Sequence, residues 1–295
     1  MTREALGLAG VLVLLGAGWG ATQPLAKVAT STGYQPLGLV FWQLAIAVMC
    51  LGAVILARGL SVPRDAYSVR IFAIVALIGT VLPNSASYYA ITKLPSGLIS
   101  ILLALVPMFA FPMALALGTD RFSALRLMGL LLGLGGVLMI VAPEASLPDP
   151  AMVAFITVAL IAPLLYALEG NVVAKWAGGI GPIQLLFGSS VLGLIVALPL
   201  ALVFGQFIVP SGITPQDAAM VASGIVHAVV YTTYVWLVGR AGAVFAIQVS
   251  YLVTGFGILW AMMFLGERYS GWVWAAVPLM FAGMFLVQPR PRESP

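Results

Sequence analysis

Glu169 and His227 are the side chains of this sequence best suited to charge or proton chemistry. Glu169 is the only acidic residue well inside an apolar stretch, and His227 is the only histidine. A charged carboxylate at membrane depth costs at least about 2.5–3.5 kcal/mol, so it needs a partner, water or a proton. Two roles stay open for Glu169: a local ion pair with Lys175, or a contact with a substrate or proton. His227 could titrate near neutral pH, or serve as a hydrogen-bonded packing residue. Around these two, polar residues recur at helical spacing. Thr80, Asn84, Ser87 and Tyr88 share one helix face beside Pro83, and Ser223, His227, Tyr231 and Tyr234 share another. Such stripes line a cavity or hydrogen-bond across helices, since polar groups in hydrocarbon must be satisfied.

Further candidates come in three groups: Trp19 with Gln23, Tyr166 with Glu169 and Asn171 after Pro163, and Gln248 with Tyr251. Trp19, Tyr166 and Tyr251 would give aromatic walls to an amphipathic solute. The candidate substrate-binding set is therefore Trp19, Gln23, Thr80, Asn84, Tyr88, Tyr166, Glu169, His227, Tyr231, Tyr234, Gln248 and Tyr251. No second intramembrane acid, histidine cluster or metal-ligand spacing accompanies them. An enzyme is not expected, nor a catalytic residue, cofactor or metal. Cys50 has no partner for a disulfide and reads as a small buried hydrophobe.

The elements that must position these residues are membrane spans. Of 295 residues 62% are hydrophobic and 7% charged, with mean hydropathy +1.12, too apolar for a soluble domain. The net charge of +4 comes from basic residues scattered at the ends of apolar runs, not from a nucleic-acid patch. Ten runs reach the roughly 20 residues a span needs. They lie near 5–26, 36–57, 69–91, 97–117, 123–142, 151–174, 182–205, 216–239, 243–265 and 271–288. The first is long enough to be a span and not a signal peptide. Prolines 24, 83, 107, 112, 163, 199 and 278 fall within or at the ends of spans and permit kinks. The stretch 143–150 reads as a link, and 289–295 as a disordered tail.

The second half repeats the first about 147 residues later. Asp120-Arg121-Phe122-Ser123 answers Glu267-Arg268-Tyr269-Ser270, Lys93 answers Arg240, and Gly136 answers Gly283. Under that offset His227 falls on Thr80 and Tyr231 on Asn84, so the two polar stripes are equivalents. Five spans per copy, an odd number, oblige the second copy to enter the membrane inverted. The expected fold is thus an all-α polytopic membrane protein, ten transmembrane helices in two inverted repeats, 1–146 and 147–295. With both termini cytoplasmic, Arg3, Arg58, Arg64, Arg70, Arg121, Arg126, Lys175, Arg240, Arg290 and Arg292 lie inside, and Lys27, Lys93 and Arg268 outside. Each copy keeps this positive-inside bias separately.

Ten spans in tandem duplication, Trp19-Gly20 ahead of Gln23 and Lys27, and the acidic-Arg turns after the fourth and ninth spans resemble the drug/metabolite transporter superfamily, EamA type. The similarity in kind is to bacterial amino-acid and metabolite exporters, including YddG-type aromatic amino-acid exporters. This implies a secondary transporter of a bacterial cytoplasmic membrane that works as a monomer by alternating access. It would export small organic solutes, amino acids and aromatic ones included, with multidrug or amphipathic-amine export as the alternative and an intramembrane enzyme or a channel as more remote ones. The implied partners are the solute and membrane lipids, with no nucleic acid. The acidic-Arg turns would be structural caps. Unlike the small multidrug exporters of that superfamily, the first span holds no mid-membrane acid. No paired Lys or Arg stands ready for a phosphate ester either, so a neutral or zwitterionic solute fits.

Overall fold

The computed structural model describes residues 3–141, 149, 151–212, 214–241 and 249–287. Gln248, the tail from 289 and most of the expected link at 143–150 lie outside the described residues. Ten helical segments and no strand are present among those described. We name them α1 (Arg3–Thr30), α2 (Pro36–Arg58), α3 (Ala66–Ile91), α4 (Ser96–Ala116), α5 (Ala124–Val141), α6 (Met152–Trp176), α7 (Pro182–Val203), α8 (Pro215–Ala241), α9 (Val249–Leu265) and α10 (Gly271–Val287).

Six of these, α1, α2, α3, α4, α6 and α7, are clearly long and apolar enough to cross a bilayer. α5, α9 and α10 are apolar but shorter, and α8 has the length but carries a polar stripe. Large apolar side chains point away from the protein, as at Leu14, Leu56 and Val203. That exposure suits contact with lipid and not with water. Local chemistry fixes the ends. Prolines 36, 182 and 215 open their helices at the position where the missing N–H costs nothing. Asp65 caps α3 by accepting from Ser68 N at 2.9 Å. Gly59 closes α2 with φ 60°.

Three helices are interrupted where the sequence predicts continuous spans. α3 widens into a π-turn at Leu77–Val81, α4 breaks at 104–105, and α6 breaks at Leu160. Each interruption lies a few residues ahead of a proline: Pro83, Pro107 and Pro163. A proline ring clashes with the carbonyl four residues back, here Gly79, Leu103 and Ala159, and a wider turn or a break relieves the clash.

Packing is symmetric under exchange of the two halves. α1 packs on α8 and α9, and its equivalent α6 packs on α3 and α4. α2 packs on α7 and α8, and α7 on α2 and α3. The remaining major pairs, α5 with α10 and α4 with α9, each join a helix to its own equivalent. The halves are interleaved around one centre. Small residues allow the closest approach: a Cβ on Gly283 would lie 2.6 Å from the Gly129 carbonyl oxygen, and one on Gly136 would fall onto Met280.

Glu267 and Lys27 hold the α3–α4 turn from the other half and from α1. The Glu267 carboxylate accepts from Ser96 N at 2.7 Å, Ser96 Oγ at 2.8 Å and Gly97 N at 3.1 Å. This is a cap on α4 by a residue of the α9–α10 turn. Tyr269 also donates to Glu267 at 2.5 Å, and burial together with this bond raises its phenol above the ordinary range. Lys27 Nζ donates to the carbonyls of Ile91 at 2.6 Å and Leu94 at 2.9 Å, closing α3.

Candidate functional site

A cavity of about 680 Å³ opens at the centre, lined by side chains of both halves. Helical spacing explains its walls. On α3, Thr80, Asn84 and Tyr88 recur every fourth residue and face it; on α8, Ser223, His227 and Tyr231 do so, with Tyr234 beside them. α1 adds Trp19 and Gln23, α2 adds Gln43, and α6 adds Tyr166, Glu169 and Asn171. Ten of the twelve sequence candidates thus lie along one cavity: Trp19, Gln23, Thr80, Asn84, Tyr88, Tyr166, Glu169, His227, Tyr231 and Tyr234. Tyr251 is not among its lining residues and packs against Phe281, with ring centroids 6.0 Å apart.

One wall, from α1 and α8, is aromatic. Trp19 meets Tyr231 edge-on at 5.7 Å, Tyr234 at 5.3 Å and His227 at 6.4 Å between ring centroids. His227 and Tyr231 are 5.9 Å apart. Each contact lies within the separation at which ring quadrupoles favour tilted and edge-on pairs. Among the described residues, His227 meets rings and no hydrogen-bond partner.

The opposite wall, from α2, α3 and α6, is a hydrogen-bond chain. Gln43 Oε1 accepts from Asn84 Nδ2 at 3.0 Å and from the Tyr88 hydroxyl at 2.5 Å. Tyr166 donates its hydroxyl to Asn84 Oδ1. Satisfying these groups on one another locks their rotamers and leaves their other edges to the cavity. Gln43 was absent from the sequence candidates because it stands alone in an apolar span. Its 147-residue equivalent, Ser190, also lines the cavity, and that correspondence was the available signal.

Glu169 sits beside this chain, against the π-turn of α3. A Cβ on Gly79 would come within 2.9 Å of Glu169 Cγ, so only glycine leaves the carboxylate its place. Of the two roles open to Glu169, the ion pair with Lys175 is not formed. Lys175 Nζ instead donates to the Leu117 carbonyl at 2.8 Å and lies over the Trp176 ring, where it closes α4. Among the described residues no hydrogen bond or ion pair reaches the Glu169 carboxylate. It lies within electrostatic reach of Tyr166, Tyr231 and Tyr234. The arrangement can hold a positive charge beside aromatic faces.

The cavity also reaches Asp120 and Arg126, near the turn between α4 and α5. The acidic-Arg turns, expected to act alike as caps, differ: Glu267 caps α4, whereas Asp120 pairs with Arg126, and its neighbour Arg121 contributes a backbone N–H at 2.7 Å. In the sequence alone Arg126 presents itself only as a topology charge.

Comparison with known proteins supports the same architecture. The sequence pattern of the EamA-like transporter family matches twice, at residues 7–142 and 153–288. No curated protein matches the chain. A solved structure described as "Crystal structure of protein" is similar in fold, with a TM-score of 0.64 over 95% of this chain and 97% of that one, at 19% identity.

Proposed function

This chain belongs to the EamA-like transporter family, and from that premise we propose that it carries small organic solutes bearing a protonated amino group and an aromatic or apolar body. It is a polytopic membrane protein, and its family consists of transporters of small solutes, not enzymes. The observation that carries the proposal is Glu169: an intramembrane carboxylate with no protein partner among the described residues, across a cavity from four aromatic rings. A buried carboxylate calls for a cation. Stacked and edge-on rings attract both a cation and an aromatic body.

Amino acids, aromatic ones foremost, are the first solutes of this class. Amphipathic amines are the second, and the net charge of the cavity speaks for them. With His227 neutral, its described lining residues carry two acids, Glu169 and Asp120, against one permanent cation, Arg126. We read the chain as ten spans in two inverted repeats, both termini cytoplasmic, exporting across the cytoplasmic membrane by alternating access about this cavity.

The test is flux in proteoliposomes over the twenty amino acids and a set of aromatic amines, with and without a pH gradient. Saturable flux with counterflow of at least one aromatic amino acid or amine is expected. No flux of any of them by correctly folded protein refutes the reading, and flux without saturation or counterflow indicates a channel.

A further inference from the structure

The end of the cavity near the α4–α5 turn carries a second charged cluster that the aromatic box does not use. Arg126 is only 4% exposed. Its Nη1 donates to Asp120, its guanidinium carbon stands 5.5 Å from the centre of the Phe111 ring, and its Nη2 is buried with no hydrogen-bond partner among the described residues. All three residues line the cavity. A guanidinium presents its donors as a planar fork, and an unmatched buried N–H is costly, so the free edge calls for an oxygen anion. Asp120 has acceptor capacity left after Arg126 Nη1 and Arg121 N, and its side chain is 29% exposed.

The pair as a whole is neutral. Adding an anion or a cation alone would leave a net charge in a poorly solvated place, whereas a zwitterion matches both ends and leaves none. The ring of Phe111 lies alongside for an apolar substituent. A purely structural pair common to the fold should recur in the other half. There the equivalents of Phe111 and Arg126 are Ile258 and Val273, and Glu267 caps α4 instead.

We propose that Asp120, Arg126 and Phe111 form a second subsite for the head group of an α-amino acid, its carboxylate on Arg126 Nη2, its ammonium on Asp120 and its side chain along Phe111. The subsite rests on the reading that the cavity carries amino-group-bearing solutes. It adds the carboxylate requirement that separates amino acids from amines, and it places a first docking point at the end where the basic-residue bias puts the cytoplasm.

The test is isothermal titration of the full-length protein in detergent with L-tryptophan, tryptamine and indole-3-propionate, in wild type, Arg126→Gln, Arg126→Lys and Asp120→Asn/Arg126→Gln. The double variant leaves no unpaired charge and covers misfolding of the single one. Expected is a fall of at least tenfold in the tryptophan-over-tryptamine affinity ratio in both Gln variants, with Lys intermediate because it keeps the charge and loses the fork. An unchanged ratio, with flux of either compound intact, overturns the subsite and leaves the transport reading standing. Binding of indole-3-propionate as tight as that of tryptophan, lost in Arg126→Gln, shows an anion site on Arg126 with no use for the ammonium and overturns the amino-acid subsite. Binding of none of the three by wild type overturns the subsite, and the transport reading is then decided separately by the flux screen over the twenty amino acids and the amines.

Discussion

On one side of the cavity α3, α4 and α6 are each interrupted; on the other, their equivalents α8, α9 and α1 run unbroken through the corresponding positions. The prolines that accompany the interruptions, Pro83, Pro107 and Pro163, have Val230, Thr254 and Gly16 as counterparts. The same division separates the chemistry. The pair Trp19 and Tyr231 maps by the 147-residue offset onto Tyr166 and Asn84, so one contact of the fold is a ring edge on one side and a hydrogen bond on the other. Thr22, which bonds to its own helix at the Trp19 carbonyl, maps onto Glu169. A duplicated scaffold has thus diverged into a continuous aromatic wall and a jointed polar one. Polar recognition sits on the side whose backbone has spare carbonyls and wider turns, where small rotations re-aim side chains at little cost.

The sharpest way to break this comparison is at its most unequal pair. Glu169→Gln removes the charge and is expected to cut the flux of amine-bearing solutes about 30-fold or more. Losing one partner of a buried charge pair costs about 2–5 kcal/mol, at about 1.4 kcal/mol per tenfold. Thr22→Val, its counterpart, is expected to stay within about threefold, since the lost bond lies within one helix turn and is worth about 1 kcal/mol at most. Equal losses in proteoliposome flux would mean that the walls share the substrate charge evenly. Straightening the joints comes next. Pro83→Ala, Pro107→Ala and Pro163→Ala restore a backbone donor and are expected to slow turnover about tenfold with little change in binding, within the roughly 3 kcal/mol a proline exerts on a helix. Pro24→Ala in the unbroken α1 is expected to leave turnover near wild type. Equilibrium binding set beside flux separates the two effects.

Much of this division was legible in the residues, and part was not, for identifiable reasons. The stripes on α3 and α8 stood out because hydrocarbon tolerates few polar groups, so a recurring set marks a shared surface. Glu169 stood out for the same reason, but the want of a partner for its carboxylate among the described residues did not. Lys175 is close in sequence and turned toward Leu117 in space, a matter of packing between α4 and α6. The kinks were only half visible. Pro24, Pro199 and Pro278 sit inside helices that remain continuous, and Pro112 adds no second break to α4, so proline permits an interruption and the neighbouring helices decide it. Arg126 was hidden by its ordinary role, since a basic residue at a helix end reads first as an orientation signal. Tyr251 shows the converse, an aromatic residue at a plausible depth that packs away on Phe281.

Within the aromatic wall the expected effects are smaller. Trp19→Ala removes three ring contacts and is expected to weaken binding of aromatic solutes about tenfold, since each such pair is worth about 0.5–1.5 kcal/mol beyond burial. Trp19→Phe should recover most of it. Titration with tryptamine against a non-aromatic amine of similar size checks whether the loss follows the ring.

The finest test sets two tyrosine hydroxyls against each other. Tyr166 donates to Asn84, whereas Tyr231, facing the rings of Trp19 and His227, has no hydrogen-bond partner among the described residues. Removing the first hydroxyl leaves a buried acceptor, because Asn84 already gives its amide to Gln43. Tyr166→Phe is therefore expected to lower the unfolding free energy by about 1 kcal/mol, near the range measured for hydrogen bonds inside membrane proteins. Tyr231→Phe should change it by less than about 0.3 kcal/mol, because the ring contacts survive and no bond is lost. Unfolding in mixed micelles resolves that difference if both variants are measured beside wild type. A destabilised Tyr231→Phe would show that the aromatic wall holds a hydroxyl bond of its own, and the division between a wall of rings and a wall of hydrogen bonds would then fail.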